Sequence, residues 1–372
     1  MSPSRSNPDK RLKSLDALRG FDMFWIIGGG AFFLALANAT DWAWLDGVSK
    51  QLTHVKWDGF RAWDLIFPLF MFISGVAIPF AVLGKLNKGF PKSFLVKKVV
   101  KRAVLLIFLG LVYNGIFRFK FGGDGFRFAS VLGQIGIAYL IASLIFLYTR
   151  NFKFRLIWLA GLLLFIAVLQ LFIPVPGFGA GVLTPEGSFN GFIDQMLLPG
   201  RLYGTTFDPE GWLCAISAAG ITLMGALAGE VLRNSSWTEY KKLGILVLAG
   251  ILGIVLAVIL QNWYPIIKSA WTTTFNLLAG GISFLLLALF YLVIDVWKIQ
   301  GWAYFFRIIG LNSITIYLGT QIINFGHTSK FFLSGLMDVS GDFERVLYMG
   351  GVILVEWLFL YFLYKKKIFI RV

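Results

Sequence analysis

His54 is one of only two histidines in this 372-residue chain, and it precedes Asp64, the carboxylate that opens a hydrophobic run, by ten positions. Histidine is the side chain whose unperturbed pKa lies nearest to neutral pH, so it can accept and return a proton. A carboxylate at the edge of a segment that enters lipid is unfavourable unless it has a role. The pair predicts proton-transfer chemistry, with Asp64 orienting His54 or binding a substrate cation. The structural alternatives are an ordinary loop histidine and a carboxylate that caps a helix.

The elements that must position this pair are membrane-spanning helices. The chain is 58 % hydrophobic with a mean hydropathy of +0.76. Its apolar runs of about 17 to 23 residues match a helix that crosses a roughly 30 Å hydrocarbon layer, whereas a transmembrane barrel would show weaker alternating segments. The sequence therefore predicts an all-α, polytopic integral membrane protein. We expect about ten transmembrane helices, near residues 17–39, 63–83, 96–116, 131–148, 154–173, 212–232, 242–260, 272–294, 304–324 and 347–364.

The basic residues predict the orientation of these helices. Most of the 34 lysines and arginines fall on the side that holds the N-terminus, for example Lys85, Lys88, Lys97 and Lys98 between the second and third spans. Cytoplasmic loops carry this excess, so both termini are predicted to be cytoplasmic in a multi-pass protein of the inner (cytoplasmic) membrane. The +15 charge is then a sign of topology, and we expect no nucleic-acid partner.

One connection is much longer than the others. Residues 174–211 are predicted to form an ordered outward loop within a single domain covering 1–372, because glycine-rich turns alternate with apolar anchors there. The loop ends in Phe207-Asp208-Pro209-Glu210-Gly211 at the mouth of the sixth span. Asp208 and Glu210 are candidates for substrate binding. Acids beside a proline are also typical of the first turn of a helix, which is the structural alternative.

Short motifs along nearly the whole chain resemble those of the heparan-α-glucosaminide N-acetyltransferase family of transmembrane acyltransferases, and the likeness is closer to its shorter bacterial members. The motifs that carry the resemblance are, in order, Ser14 to Gly20, Gly28 to Gly30, His54 with Trp57 and Gly59, Asp64 to Pro68, Phe72 to Gly75, Val131 to Gly136, Asp208 to Gly211, Leu227 to Gly229, Pro265 with Lys268 and Trp271, Ile294 to Val296, Gly310 to Ile314 with Tyr317, and Leu363 to Phe369.

The resemblance implies that the protein transfers an acetyl group from cytoplasmic acetyl-CoA, as co-substrate, to the amino group of a glucosamine-type sugar on the outer side. No metal is implied. The histidine at position 54 would be catalytic, either as the base that deprotonates the acceptor or as a carrier of the acetyl group, with Asp64 beside it. The acceptor would be a small amino sugar or the end of a glycan, and the protein would lie in the lipid bilayer, where it could form a homodimer.

Three residues are candidate acetyl-CoA contacts. Lys101 and Arg102 lie at the predicted cytoplasmic mouth of the third span, where they could bind the phosphates of CoA or serve only as positive-inside anchors. Asn312 must form hydrogen bonds inside the ninth span, to pantetheine or to another helix. The candidate substrate-binding residues are Trp57, Asp58, Asp208, Glu210 and Lys268.

The sequence departs from the family pattern at several positions. Ile26, Gln134 and Ile267 replace an asparagine, an arginine and a second asparagine, and Thr320 and Gln321 stand where the lysosomal enzyme has a histidine and a glutamate. The identity of the acceptor is therefore not carried over from the family. Glu356, in the middle of the last predicted span, has no evident partner in the sequence.

Two functions other than catalysis compete. A transporter for an amino sugar or a peptidoglycan-derived sugar would fit about ten spans, with glycines at 28–30 and 280–281 breaking helices around a site at the membrane midplane. A non-catalytic membrane partner that organises another enzyme is the third reading. Consumption of acetyl-CoA in the presence of glucosamine distinguishes the acyltransferase, because a transporter leaves the thioester intact.

Overall fold

The computed structural model describes residues 12–118 and 125–370. The basic residues Arg5, Lys10, Arg11 and Arg371, which contribute to the predicted orientation, lie outside these ranges. The described residues form α-helices joined by turns, with short π- or 3₁₀-helical segments and isolated β-bridges, and without a strand. The α-helices are α1 (Lys13–Phe24), α2 (Gly30–Ala39), α3 (Ala43–Gln51), α4 (Ala62–Leu86), α5 (Lys92–Tyr113), α6 (Val131–Tyr148), α7 (Phe152–Phe172), α8 (Phe189–Leu197), α9 (Trp212–Arg233), α10 (Glu239–Leu260), α11 (Thr273–Phe290), α12 (Ala303–Leu311), α13 (Ser313–Ile322), α14 (Phe325–Met337) and α15 (Glu344–Lys365).

Within the described residues, eight helical segments are long and apolar enough to cross a membrane. They are Lys13–Ala39, Ala62–Leu86, Val131–Tyr148, Phe152–Phe172, Trp212–Arg233, Glu239–Leu260, Thr273–Val296 and Gly341–Lys365. Each overlaps one predicted span, and the all-α, polytopic membrane architecture is confirmed.

The remaining two predicted spans differ from these eight. α5 is a continuous 22-residue helix, but four basic residues occupy its positions 97, 98, 101 and 102. The predicted span 304–324 is divided into α12 and α13 at Asn312, which has non-helical backbone angles (φ −131°, ψ 36°). The total of ten spans and the cytoplasmic termini therefore stay predictions.

The described chain divides into two compact units. The larger unit comprises Lys56–Phe60 and the described part of Pro68–Ala288, and the smaller unit comprises Leu12–Val55, Arg61–Phe67 and Leu289–Val372 up to residue 370.

In the larger unit α9 is the most enclosed of the long helices, with most of its side chains buried. A Cβ atom on Gly75 would lie 1.9 Å from the carbonyl oxygen of Thr222, and one on Gly225 would lie 2.0 Å from that of Phe72. These glycines therefore allow α4 and α9 to pack backbone against backbone.

The smaller unit uses the same device between α1 and α12. A Cβ atom on Gly20 would lie 1.7 Å from the carbonyl oxygen of Phe306, and one on Gly310 would lie 1.9 Å from that of Asp16. Gly20, at the end of the first motif of the chain, and Gly310, at the start of a later motif, therefore allow α1 and α12 to pack closely. The side chain of Asp295 accepts a hydrogen bond from the backbone N–H of Ser14 in the first turn of α1 (3.1 Å).

The glycine runs at 28–30 and 280–281 behave differently from each other. The first lies at a real interruption, because a π-helical segment, Trp25–Gly29, separates α1 from α2 and Gly28 has non-helical backbone angles. The second would break a helix under the transporter interpretation, but α11 is continuous through Gly280 and Gly281. These two glycines instead make room for neighbours, because added Cβ atoms would meet Met224 and the backbone of Gly250.

Candidate functional site

His54 and Asp64 form a hydrogen-bonded pair in the smaller unit. The Nδ1 atom of His54 lies 2.6 Å from Oδ1 of Asp64. The Asp64 side chain is completely buried, whereas 51 % of the His54 side chain is exposed. A buried carboxylate and an accessible imidazole are the arrangement expected of a group that orients a proton acceptor without itself meeting the substrate.

The second oxygen of Asp64 caps α4. Oδ2 accepts a hydrogen bond from the backbone N–H of Arg61 (3.0 Å), the residue before the first helical position, as the third residue of a capping box does. Helix capping and orientation of His54, which the sequence presents as alternatives, are therefore combined in one carboxylate.

Two further side chains hold the segment that carries His54. Nη1 of Arg61 donates hydrogen bonds to Oγ1 of Thr53 (2.6 Å) and to the carbonyl oxygen of His54 (3.3 Å). The indole of Trp63 lies beside the imidazole, with 6.3 Å between ring centroids, and its far edge occupies the space that a Cβ atom on Gly30 would take. A larger residue at position 30 would displace the Trp63 ring. Gly30, the last residue of the glycine run, therefore allows Trp63 to lie beside His54.

The hydrogen bond to Asp64 determines which nitrogen of the His54 imidazole can act as a base. An ionised carboxylate only accepts hydrogen bonds, so the Nδ1 atom of neutral His54 must carry the hydrogen and Nε2 must carry the lone pair. Nε2 is therefore the basic and nucleophilic atom. Asp64 also stabilises the imidazolium that forms when Nε2 takes a proton.

A second cluster of charged groups lies in the larger unit. Arg127 donates two hydrogen bonds to Asp208, from Nε to Oδ2 (2.8 Å) and from Nη2 to Oδ1 (2.6 Å), and Nη2 also contacts Oε2 of Glu210. The Asp208 side chain is fully buried and also accepts hydrogen bonds from the backbone N–H groups of Tyr203 and Glu210. Asp208 therefore orders the end of the long loop, and Glu210 is the more accessible of the two carboxylates.

Asp194, on α8, connects this cluster to the start of α9. Its two carboxylate oxygens accept hydrogen bonds from the backbone N–H groups of Asp208 (3.2 Å) and Trp212 (3.1 Å). Burial raises the pKa of Asp194 to about 7, against the lowering effect of these two hydrogen bonds. Burial also raises the pKa of Glu210, which nearby Arg127 and Lys268 oppose. Burial lowers the pKa of Arg127, but its two carboxylate partners outweigh this and hold the pKa above its usual value.

The turn that carries Lys268 reaches the same cluster. Trp271 is almost completely buried and has φ 47°, a backbone conformation that bulky residues rarely adopt, and its indole N–H donates to the carbonyl oxygen of Pro209 (3.1 Å). Its own carbonyl oxygen accepts a hydrogen bond from Ser217 on α9. Strained backbone held by its surroundings is found most often at functional sites.

Trp57 and Asp58 also belong to the larger unit. The indole N–H of Trp57 donates to the carbonyl oxygen of Leu183 (2.7 Å), and its ring packs edge-on against Phe207. Asp58 is exposed and pairs through its backbone with Ile267. The structure thus brings Asp208, Glu210 and Lys268 together and ties Trp57 and Asp58 to the neighbouring loop and turn.

The arrangement can be compared with known proteins. The family model described as "Heparan-alpha-glucosaminide N-acetyltransferase, catalytic" matches residues 11–250, which is more than half of the chain. The chain belongs to this family. It is similar to heparan-alpha-glucosaminide N-acetyltransferase of Mus musculus, with 26 % identity over a 451-residue alignment, and of Homo sapiens, with 24 % identity over 447. Both alignments cover all of this chain and 64 % of the relative.

The candidate acetyl-CoA contacts of this heparan-alpha-glucosaminide N-acetyltransferase family member lie in different surroundings. Lys101 is exposed on α5, whereas Arg102 stacks on the ring of Tyr139, 4.2 Å from its centroid, and its Nε atom has no hydrogen-bond partner within the described ranges. Asn312 is buried and bonds to the C-terminal segment, donating to the carbonyl oxygen of Ile368 and accepting from the N–H of Ile370. The amide of Asn312 thus anchors the chain end at the break between α12 and α13.

Three residues that contribute to the two clusters were missed in the sequence. Arg61 stands between the motifs that contain His54 and Asp64, so proximity along the chain was the available signal. Arg127 and Asp194 gave no such signal, because Arg127 is separated from Asp208 by 81 positions and Asp194, which lies on α8, falls in the segment 174–211 that was predicted as a loop.

Proposed function

We propose that this protein is a membrane-bound N-acetyltransferase that moves an acetyl group from acetyl-CoA to the amino group of a glucosamine-type sugar. The observation that carries the proposal is the 2.6 Å contact between the exposed imidazole of His54 and the buried carboxylate of Asp64. Membership in a family named for this activity supports the choice of reaction, and the names of the two relatives support an amino-sugar acceptor.

In the direct route, the acceptor nitrogen attacks the thioester carbonyl while Nε2 of His54 removes its proton. A C–N bond forms, the C–S bond breaks, and the imidazolium returns the proton to the departing thiolate, so that amide and free CoA thiol are the products. A positioned base contributes about 10² to 10⁴ in rate. In the covalent route, Nε2 attacks the carbonyl and the C–S bond breaks, which releases the CoA thiolate and leaves the acetyl group on the imidazole. The acceptor nitrogen then attacks this acetyl group, the bond between the carbonyl carbon and Nε2 breaks, and the proton lost by the amine balances the one taken up by the thiolate. Asp64 supports either route, because both place positive charge on the imidazole.

The proposed donor enters from the cytoplasmic side and the acceptor from the outer side. The predicted orientation supports this, because the basic residues of α5 would face the phosphates of CoA in the compartment where acetyl-CoA is made. Glu210 and Lys268 are proposed to contact the acceptor, with Asp208 and Arg127 holding Glu210 in place.

The test uses the full chain purified in detergent, with acetyl-CoA and glucosamine, and measures both free CoA thiol and N-acetylated sugar. We expect both products in equal amounts, and we expect His54→Ala to lower their formation by a factor of about 10² or more. His327→Ala is the matched control, since it removes the only other histidine, on α14, and should leave the rate unchanged.

An intact thioester after incubation with folded, monodisperse protein would contradict the proposal. A transporter would give that result, together with uptake of the sugar into vesicles. The continuity of α11 through Gly280 and Gly281 already removes one of the two helix breaks on which the transporter interpretation depended.

A further inference from the structure

The larger unit contains a narrow apolar groove of about 230 Å³. α9 forms its floor, α7 and α10 form its walls, and α11 contributes beside α10; every residue that lines it is apolar or glycine. Leu227 and Val231 of the floor are 4 % exposed, whereas Leu156 and Leu252 of the walls are 43 % and 56 % exposed. The groove therefore opens at the outer surface of α7 and α10 and reaches down to α9, the most enclosed of the long helices.

The groove runs along the helices. α7 lines it from Phe152 to Leu163 and α10 lines it from Ile245 to Leu256, an advance of eleven positions in each case. At 1.5 Å per residue the length is about 16 Å, which is roughly half of the 30 Å hydrocarbon layer of a bilayer. Because both wall helices are long and apolar enough to cross a membrane, the groove matches the depth of one leaflet.

One end of the groove carries positive charge. It is the end at which α7 and α10 begin and α9 ends. Two acids near this end are held in ion pairs, Arg155 with Glu230 (2.6 Å) and Lys242 with Glu239 (3.3 Å). Lys153 and Lys241, in the first turns of α7 and α10, are exposed and add two further positive charges. Lys241 lies over the ring of Trp237, 5.0 Å from its centroid, and tryptophan is enriched at the level of the lipid headgroups.

The shape and lining of the groove favour hydrocarbon as its occupant. Apolar cavities stay dry and take up hydrocarbons, and acyl chains are the hydrocarbon that a membrane supplies at this depth. A helix about 10 Å in diameter would fill more than about 1,000 Å³ over the same length, so a helix of a second copy does not fit inside the groove. The positive end distinguishes between lipids, because each basic residue near an anionic headgroup contributes a factor of about five in binding.

We propose that this groove binds one anionic phospholipid, which lays an acyl chain along α9 and places its negatively charged headgroup between Lys153 and Lys241. The acyl chain packs against α7, α9 and α10 together and thereby stabilises the larger unit. The inference concerns lipid binding alone and does not require that acetyl transfer takes place.

The test is native mass spectrometry of the full chain, stripped of lipid in detergent and then incubated with an equimolar mixture of phosphatidylglycerol and phosphatidylcholine that carry the same acyl chains. The first lipid is anionic and the second is zwitterionic. We expect one phosphatidylglycerol bound per chain, with a preference of at least about tenfold over phosphatidylcholine, because two lysines act on the headgroup.

Two sets of variants separate the headgroup from the acyl chain. Lys153→Gln combined with Lys241→Gln should remove the preference, whereas Lys92→Gln combined with Lys97→Gln, which removes two exposed charges from α5, should retain it. Ala249→Phe fills the groove and should abolish binding of phosphatidylglycerol. Leu248→Phe enlarges the neighbouring, lipid-facing residue of α10 outside the groove and should leave binding unchanged.

Thermal unfolding separates a folding defect from a binding defect. Added phosphatidylglycerol should raise the apparent melting temperature of wild type and of Leu248→Phe but not that of Ala249→Phe. If Ala249→Phe aggregates, Leu156→Trp narrows the groove from its exposed wall and should likewise abolish binding. Equal retention of the two lipids by wild type, or unchanged retention of phosphatidylglycerol in a folded groove variant, would overturn the proposal. A lipid-free dimer that Ala249→Phe dissociates would also overturn it and would assign the groove to a second copy of the chain.

Discussion

Asp64 shows how one side chain can satisfy a structural and a chemical requirement at once. Its position at the third residue of α4 suits a capping box, and its burial under His54 suits an orienting carboxylate. The two requirements use different oxygens and therefore do not compete. A substitution that preserves one acceptor and removes the other should consequently separate stability from catalysis.

Asp64→Asn is that substitution. The backbone N–H of Arg61 can only donate, so the amide oxygen of the asparagine is expected to face it and the amide NH₂ to face Nδ1 of His54. The imidazole then has its lone pair on Nδ1 and its hydrogen on Nε2, which is the wrong tautomer for a base at Nε2. We expect kcat for acetyl transfer to fall by a factor of about 10² or more, with little change in the apparent melting temperature.

The matched control is Asp46→Asn, which removes an exposed first-turn acid from α3 in the same unit. It should leave kcat and the melting temperature unchanged. A Asp64→Asn enzyme that keeps wild-type kcat would show that the Asp64 carboxylate serves only as a helix cap.

At the scale of elements, the long loop is held to α9 by buried acceptors. Asp194 supplies both oxygens to backbone donors, and its carboxylate lies close to Gly211, where an added Cβ atom would be 2.2 Å from either oxygen. No larger residue fits at position 211 without moving Asp194. The order of the loop therefore depends on a carboxylate that is buried in the folded state.

The raised pKa of Asp194 predicts a pH dependence of stability. The pKa of about 7 lies above that of an aspartate in the unfolded chain, so between these two values the folded state holds a proton that the unfolded state has lost. The free energy of unfolding therefore decreases as pH rises towards 7. The loss is about 1.4 kcal/mol per pH unit while only the folded state is protonated. The melting temperature of wild type minus that of Asp194→Asn should therefore decrease between pH 5 and pH 8. A difference that stays constant or grows would contradict the prediction.

A third prediction concerns the binding of acetyl-CoA by basic residues of α5. Lys101 is the exposed member of the candidate pair, and Arg102 packs on Tyr139, so Lys101→Glu changes charge with the smaller effect on packing. If Lys101 faces the phosphates of CoA, the reversal should raise KM for acetyl-CoA roughly 3- to 10-fold and leave KM for the sugar unchanged. Lys153→Glu, an exposed basic residue in the first turn of α7, is the control. Equal effects of the two substitutions would assign Lys101 to membrane anchoring.

At the scale of the molecule, the sequence predicted what depends on local composition. Val131–Tyr148 coincides with its predicted span because a run of apolar residues determines where a helix can cross lipid. The pairing of His54 with Asp64 was within reach because only ten positions separate them. The contacts of Arg127 with Asp208 and of Asn312 with the C-terminal segment join distant positions, and the apolar groove over α9 needs four helices, so no local pattern could indicate them.

The orientation of the whole chain in the membrane gives the last prediction. α4 contains 25 residues and is therefore about 37 Å long, enough to separate the exposed residues Lys56 and Lys88 by a bilayer. Cys214 is the only cysteine and is buried, so Cys214→Ser provides a background without reactive thiols. In that background, a membrane-impermeant maleimide added to intact cells should label Lys56→Cys and should label Lys88→Cys only after permeabilisation. The reason is that the basic residues between α4 and α5 favour the cytoplasmic side. The reverse pattern would place His54 on the cytoplasmic side, and transfer across the membrane would no longer be needed to bring acetyl-CoA to it.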